Sequence, residues 1–214
     1  MLRRSLLLVA LVIGLVIAPS TAFADSVSMH FIGPGGNNAG GVYTYPYNFS
    51  INGAPTVSLI CDTYSNTIVS GETWTANVSS LLSGNGLFGS ALIDYKAAAL
   101  IFQSVLNGTL NANVANWAIW GLFDSSATKN SYFKNSGAAN IELQYLALAA
   151  NAPNSAFNGF VIYTPIPGTQ SWGGTPQEFI GYNPRAVVPE PASLTLLGTG
   201  LLGLAQTLRK KARG

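Results

Sequence analysis

Residues 188–214 most constrain what this chain can fold into, because they cannot share a core with the rest of it. They read Val-Pro-Glu-Pro-Ala, then a fifteen-residue apolar run from Leu194 to Leu208, then Arg209-Lys210-Lys211-Ala212-Arg213-Gly214. Pro189 and Pro191 each lack an N–H and fix φ, so the Pro-Glu-Pro step ends whatever helix or sheet precedes it. The apolar run is shorter than the roughly twenty residues a bilayer core takes, and flanking Arg and Lys that snorkel can make up some of the difference. The reading is a single C-terminal hydrophobic helix over 194–208, with its basic end on the cytoplasmic side. At the other terminus, residues 1–24 place Arg3 and Arg4 before an apolar stretch from Leu6 to Ala18, then Ala22-Phe23-Ala24. That order of cationic flank, apolar core and small-x-small site reads as a secretory signal peptide, cut after Ala24. With positive charge inside at both ends, residues 25–187 are expected beyond the cytoplasmic membrane.

The tail resembles the PEP-CTERM sorting signal of Gram-negative bacteria, which is read by the membrane enzyme exosortase. The resemblance covers residues 188–214 alone and rests on three parts in order: Pro189-Glu190-Pro191, the apolar run and the basic cluster. It implies that Pro189, Glu190 and Pro191 form the recognition motif and that 194–208 is a transient inner-membrane anchor. Arg209, Lys210, Lys211 and Arg213 form its basic stop. The partners implied are the Sec machinery and signal peptidase during export, then exosortase, with the product at the cell surface or outside the cell.

Setting the two tags aside inverts the charge. Of ten basic residues, Arg3, Arg4, Arg209, Lys210, Lys211 and Arg213 lie in the tags, whereas only Glu190 of the eight acids does. The remaining 163 residues hold four basic and seven acidic side chains, a net of −3. A nucleic-acid surface needs clustered Lys and Arg, so that class of partner is excluded. The length suits one domain with a proper core.

Along that domain, β-branched and aromatic runs at Val27–Phe31, Val42–Tyr45, Thr56–Cys61 and Thr73–Val78 predict strands. Pro34-Gly35-Gly36-Asn37-Asn38, Asn52-Gly53 and Ser70-Gly71-Glu72 supply the turns. The period then changes. Leu92, Tyr95, Ala99, Phe102 and Leu106 recur at helical spacing, a second helix is predicted over Ala112–Phe123, and a third over Ala138–Ala150. Gly159–Thr164 and Glu178–Ile180 return to strand. The expectation is an α+β domain: an N-terminal β-rich part, a central three-helix segment and C-terminal return strands.

Cys61 is the one cysteine, at a predicted strand end in a chain bound for an oxidising compartment. Free cysteines are among the most buried residues, so packing accounts for it as readily as chemistry. The order of a strand-end Cys61-Asp62, a Gly71-Glu72-x-Trp74 strand and a later Asn116-Trp117-Ala118-Ile119-Trp120 helix is similar to the thioester domains of bacterial surface adhesins. In that family a cysteine sulfur and a glutamine side chain condense with loss of ammonia. Here Asn116, one methylene shorter, stands where the glutamine would be. The resemblance implies a related scaffold over residues 42–123, with Cys61 and Asn116 as the reactive candidates.

Other chemistry is sparsely supplied. His30 is the sole histidine, and nothing in its spacing marks it as a base for Cys61. One His and one Cys do not make the ligand set zinc takes, and the carboxylates at 62, 72, 94, 124, 142 and 178 lack a calcium-loop spacing. No metal or cofactor is expected. Gly84-x-Gly86-x-x-Gly89 spells a dinucleotide fingerprint, though no convincing buried strand leads into it. Trp74, Trp117, Trp120, Trp172 and the alternating Tyr43, Tyr45 and Tyr47 are either core or a sugar-stacking face. The functional expectation is a non-enzymatic, exosortase-processed surface or matrix protein, structural or adhesive, associated with biofilm exopolysaccharide. The alternative is a covalent adhesin or atypical enzyme that uses Cys61.

Overall fold

In the computed structural model the structure describes residues 26–183; the signal segment, the 194–208 anchor and the rest of the tail lie outside them. Within the chain, Ala24–Ala186 forms one compact unit. Its elements run β1 (Ser26–Pro34), β2 (Asn38–Ala39), β3 (Val42–Tyr43), β4 (Tyr47–Ile51), β5 (Val57–Cys61) and β6 (Thr73–Ser80). Then come α1 (Leu92–Leu106), α2 (Ala112–Phe123), the short α3 (Ser131–Asn135) and α4 (Ala138–Asn151), and finally β7 (Phe160–Pro165) and β8 (Phe179–Tyr182). The α+β order matches the expectation. The closed barrel into which the strands fold was not anticipated.

Six strands close in the order β1-β4-β5-β8-β7-β6, every pair antiparallel. Although β5 and β6 follow one another in sequence, they do not pair; β8 and β7, made after all four helices, insert between them. A six-stranded barrel encloses only enough space for its own side chains. Phe49 occupies the middle, with ring centroids 5.1 Å from Phe31, 4.7 Å from Phe179 and 5.7 Å from Trp74. Edge-on or tilted contacts of this kind add to the stabilisation that area burial supplies.

Burial tells which wall faces what. Strand β1 alternates, with Met29 and Phe31 buried and Ser28, His30 and Ile32 exposed, and β4 buries Tyr47 and Phe49 between less buried neighbours. Such period-two burial means one face is in water. On β5, β8 and the start of β7 burial is continuous: Leu59-Ile60-Cys61, Phe179-Ile180-Gly181 and Phe160-Val161-Ile162. Their second face is covered too, and Phe160 meets Phe102 of α1 with centroids 6.5 Å apart.

The second helix has the predicted bounds, and its start is set by Asn111, whose side chain accepts from the N–H groups of Asn113 and Val114. In α1 the stripe is buried at Tyr95, Ala99 and Phe102, while its ends, Leu92 and Leu106, are exposed. The predicted strand over 42–45 is cut to Val42–Tyr43, because Pro46 follows and brings no N–H to a ladder. The Tyr45–Pro46 peptide is cis, and the Pro46 carbonyl accepts from Gly35 N–H at 2.8 Å. Strand β4 beyond it is not predicted, since Pro46 before it, Asn48 within it and Asn52-Gly53 after it read as loop. The β2–β3 hairpin docks on α2: Trp117 Nε1 donates to the Ala39 carbonyl at 3.2 Å. Gly40 has φ +63, and a Cβ there would fall 2.5 Å from the Trp117 ring. Among the described residues no helix is long and apolar enough to cross a membrane.

Candidate functional site

The sorting residues Pro189, Glu190 and Pro191, the basic residues Arg209, Lys210, Lys211 and Arg213, and the cleavage residues Ala22 and Ala24 lie outside the described residues. Cys61 and Asn116 lie inside them, and the fold brings them together through the main chain. Asn116, fully buried in α2, donates from Nδ2 to the Cys61 carbonyl at 2.9 Å and accepts at Oδ1 from the Tyr45 N–H at 2.8 Å. Its amide thus clamps the end of β5 to the segment before β4. Both ends of the side chain are committed to hydrogen bonds.

The Cys61 thiol is fully buried and donates to the Thr63 carbonyl at 3.3 Å. Burial first, and then the neighbouring Asp62, push its pKa well up. The Trp120 indole N–H near the sulfur opposes that rise without reaching hydrogen-bond geometry. A thiol so held stays protonated, and the thiolate is the nucleophile. His30 sits on β1 opposite Ser50 and Thr73 with its side chain exposed on the outer face, so it offers no base to a buried sulfur.

What the sequence left scattered, the fold pairs. Asp62 and Glu178 are both fully buried, and Asp62 N–H donates to the Glu178 carbonyl at 3.3 Å. The Thr63 hydroxyl bridges them: it donates to Asp62 Oδ1 at 3.0 Å and accepts from Glu178 N–H at 3.1 Å. Glu178 Oε1 takes the Tyr95 hydroxyl of α1 at 2.5 Å. Its Oε2 takes the Leu87 N–H at 2.7 Å and the Thr164 hydroxyl of β7. Gln177 Nε2 donates to the carbonyls of Thr63 and Asn66, at 2.9 and 2.8 Å. Burial, then the charge of Glu178, raise the Asp62 pKa well above the usual carboxyl range. The signal available beforehand was local: in a domain with so few charges, Asp62 follows one predicted strand and Glu178 opens another.

The Gly84–Gly89 loop serves this cluster. It follows the half-buried strand β6 after a single 3-10 turn, so no fully buried strand leads into it. Its amides face the chain's own groups: Leu87 N–H goes to Glu178, and Phe88 N–H to the Tyr95 hydroxyl at 3.1 Å. Gly86 is needed for close approach, since a Cβ there would lie 2.2 Å from the Tyr95 hydroxyl oxygen. The aromatic candidates divide likewise. Trp117 and Trp120 are buried, edge to face at 5.1 Å, with Tyr64 against both. Tyr43 is exposed, Tyr45 half-buried and Tyr47 buried, so the three form no common stripe. Trp172, 61% exposed, is the tryptophan left at the surface. Among the described residues no group of three or more His, Cys, Asp and Glu could hold a metal ion.

No curated protein matches the chain, and no solved structure does. The likeness of residues 42–123 to adhesin thioester domains therefore rests on residue order alone. One family does match: residues 187–210 fit the PEP-CTERM protein-sorting motif. The match falls on the Pro-Glu-Pro step, the apolar run and the first basic residues. The motif means export, transient membrane anchoring and targeting to exosortase. The chain thus carries a PEP-CTERM protein-sorting motif at its tail.

Proposed function

We propose that the exported domain is a non-enzymatic structural or adhesive component of the cell surface or extracellular matrix, held in biofilm exopolysaccharide. The observation that carries this reading is the state of Cys61. The one nucleophile that sequence singled out is fully buried, protonated and packed among barrel residues, and its Asn116 neighbour has both ends of its amide on main-chain groups. The barrel interior is filled by aromatic rings rather than left as a ligand cavity. A charge-poor outer surface bearing Tyr43 and Trp172 suits contact with neutral polysaccharide better than with charged partners.

Fractionation of cells expressing the full chain tests it. The wild type should appear in the surface and matrix fractions, and replacement of Pro189, Glu190 and Pro191 by alanine should leave it in the inner membrane. Cys61→Ala should reach the matrix and stay there as the wild type does. If Cys61→Ala is delivered but released, the covalent alternative takes over.

A further inference from the structure

Asp62 Oδ2 is buried and has no hydrogen-bond donor, whereas Oδ1 takes the Thr63 hydroxyl. The donors gathered in this cluster are directed elsewhere: Tyr95, Thr164 and the Leu87 amide to Glu178, and the Gln177 amide to main-chain carbonyls, while the unpartnered Trp120 indole N–H lies near the Cys61 sulfur. An ionised Asp62 would bury a charged oxygen with nothing to satisfy it, beside a second carboxyl. A protonated Asp62 is itself a donor, and the orphan disappears. We propose that Asp62 is a proton latch: folding takes up one proton onto this carboxyl, and losing it loosens the joint between the barrel and its helices.

The cluster spans that joint. It joins the end of β5 (Cys61, Asp62, Thr63), the entry to β8 (Gln177, Glu178), β7 through Thr164, α1 through Tyr95 and the Gly84–Gly89 loop through Leu87. The titratable groups facing Asp62 are Glu178 before β8, Cys61 on β5 and Tyr95 on α1; α2 brings the non-titrating Trp120 to Cys61. No lysine or arginine is among the groups acting on Asp62, so no cation favours its ionised form. Burial and Glu178 both raise its pKa, in keeping with the geometry. The folded state then binds more protons than the unfolded one, so stability is full below the ordinary aspartate range and falls as pH rises towards the folded value.

The test is urea unfolding of the full chain in a maltoside detergent between about pH 5 and pH 8, for wild type, Asp62→Asn and Glu178→Gln. The wild-type unfolding constant should rise about tenfold per pH unit more steeply than that of Asp62→Asn, which keeps the shape but has no proton to lose. Asp94 and Glu142, whose pKa values are also raised, are common to all three chains and cancel in the difference. Equal slopes in wild type and Asp62→Asn overturn the proposal, as does a slope lost only in Glu178→Gln. Should Asp62→Asn fail to fold, infrared spectra of the wild type with 13C-labelled aspartate decide. An un-ionised aspartate carbonyl band at about pH 8 that vanishes on unfolding supports the latch, and its absence refutes it.

Discussion

Asn116 illustrates how one side chain is used at the residue scale. It satisfies two main-chain groups from distant segments, the Tyr45 N–H and the Cys61 carbonyl. Asn116→Ala should leave both without partners in the interior and cost about 2–4 kcal/mol, read as a lower urea midpoint at unchanged slope. Cys61 makes a separate prediction. With its sulfur fully buried and protonated, alkylation of the native protein should proceed only as fast as the domain opens, and immediately in denaturant. Rapid labelling of native protein would contradict the packing described here. The identities of Cys61 and Asn116 as neighbours were legible in the residue order, but their relation was not. Sequence puts a thiol and an amide in the same region; only the fold shows that the amide bonds to the cysteine's carbonyl rather than to its sulfur.

Local chemistry decided how well each element was read. The second helix was legible because Asn111 caps it and Val114, Trp117 and Trp120 repeat along it, all signals contained within a few turns. The short α3 was missed because five residues carry too little period to register. Strand β4 was missed because what makes it a strand lies elsewhere: it pairs with β1 and β5, and Phe49 packs under Trp74 and Phe179. The Gly84–Gly89 loop had the spelling of a phosphate cradle and does direct its amides inward, towards Glu178 and Tyr95. Gly86→Ala should therefore displace the Tyr95 ring and cost about 2–4 kcal/mol. Adding Tyr95→Phe, which removes the hydroxyl that the new methyl meets, should recover part of that loss, measured as a non-additive double-mutant cycle. Additive losses would mean that the close approach is not what requires glycine here.

For the molecule as a whole, the barrel depends on strands far apart in the chain. Strands β7 and β8 fill the gap between β5 and β6, with the whole helical segment intervening. A chain ending after residue 158 should keep helical far-ultraviolet signal, lose near-ultraviolet tryptophan signal and aggregate through the edges of β5 and β6. A soluble, cooperatively unfolding fragment would show that closure is dispensable. Export and targeting to exosortase follow from sequence alone. The Pro-Glu-Pro step, apolar run and basic cluster are read as contiguous patterns, and each acts through composition and order rather than through packing. The net charge of the domain, the helices with strong period and the placement of turns at Asn52-Gly53 also follow from local chemistry. Tertiary structure alone decided that the strands close on themselves, that Asp62 and Glu178, well over a hundred positions apart, share one buried site, and that Cys61 is sealed. The physical reason is the same for all three. Burial and pairing belong to residues that meet only when the chain has folded, so no local pattern records them.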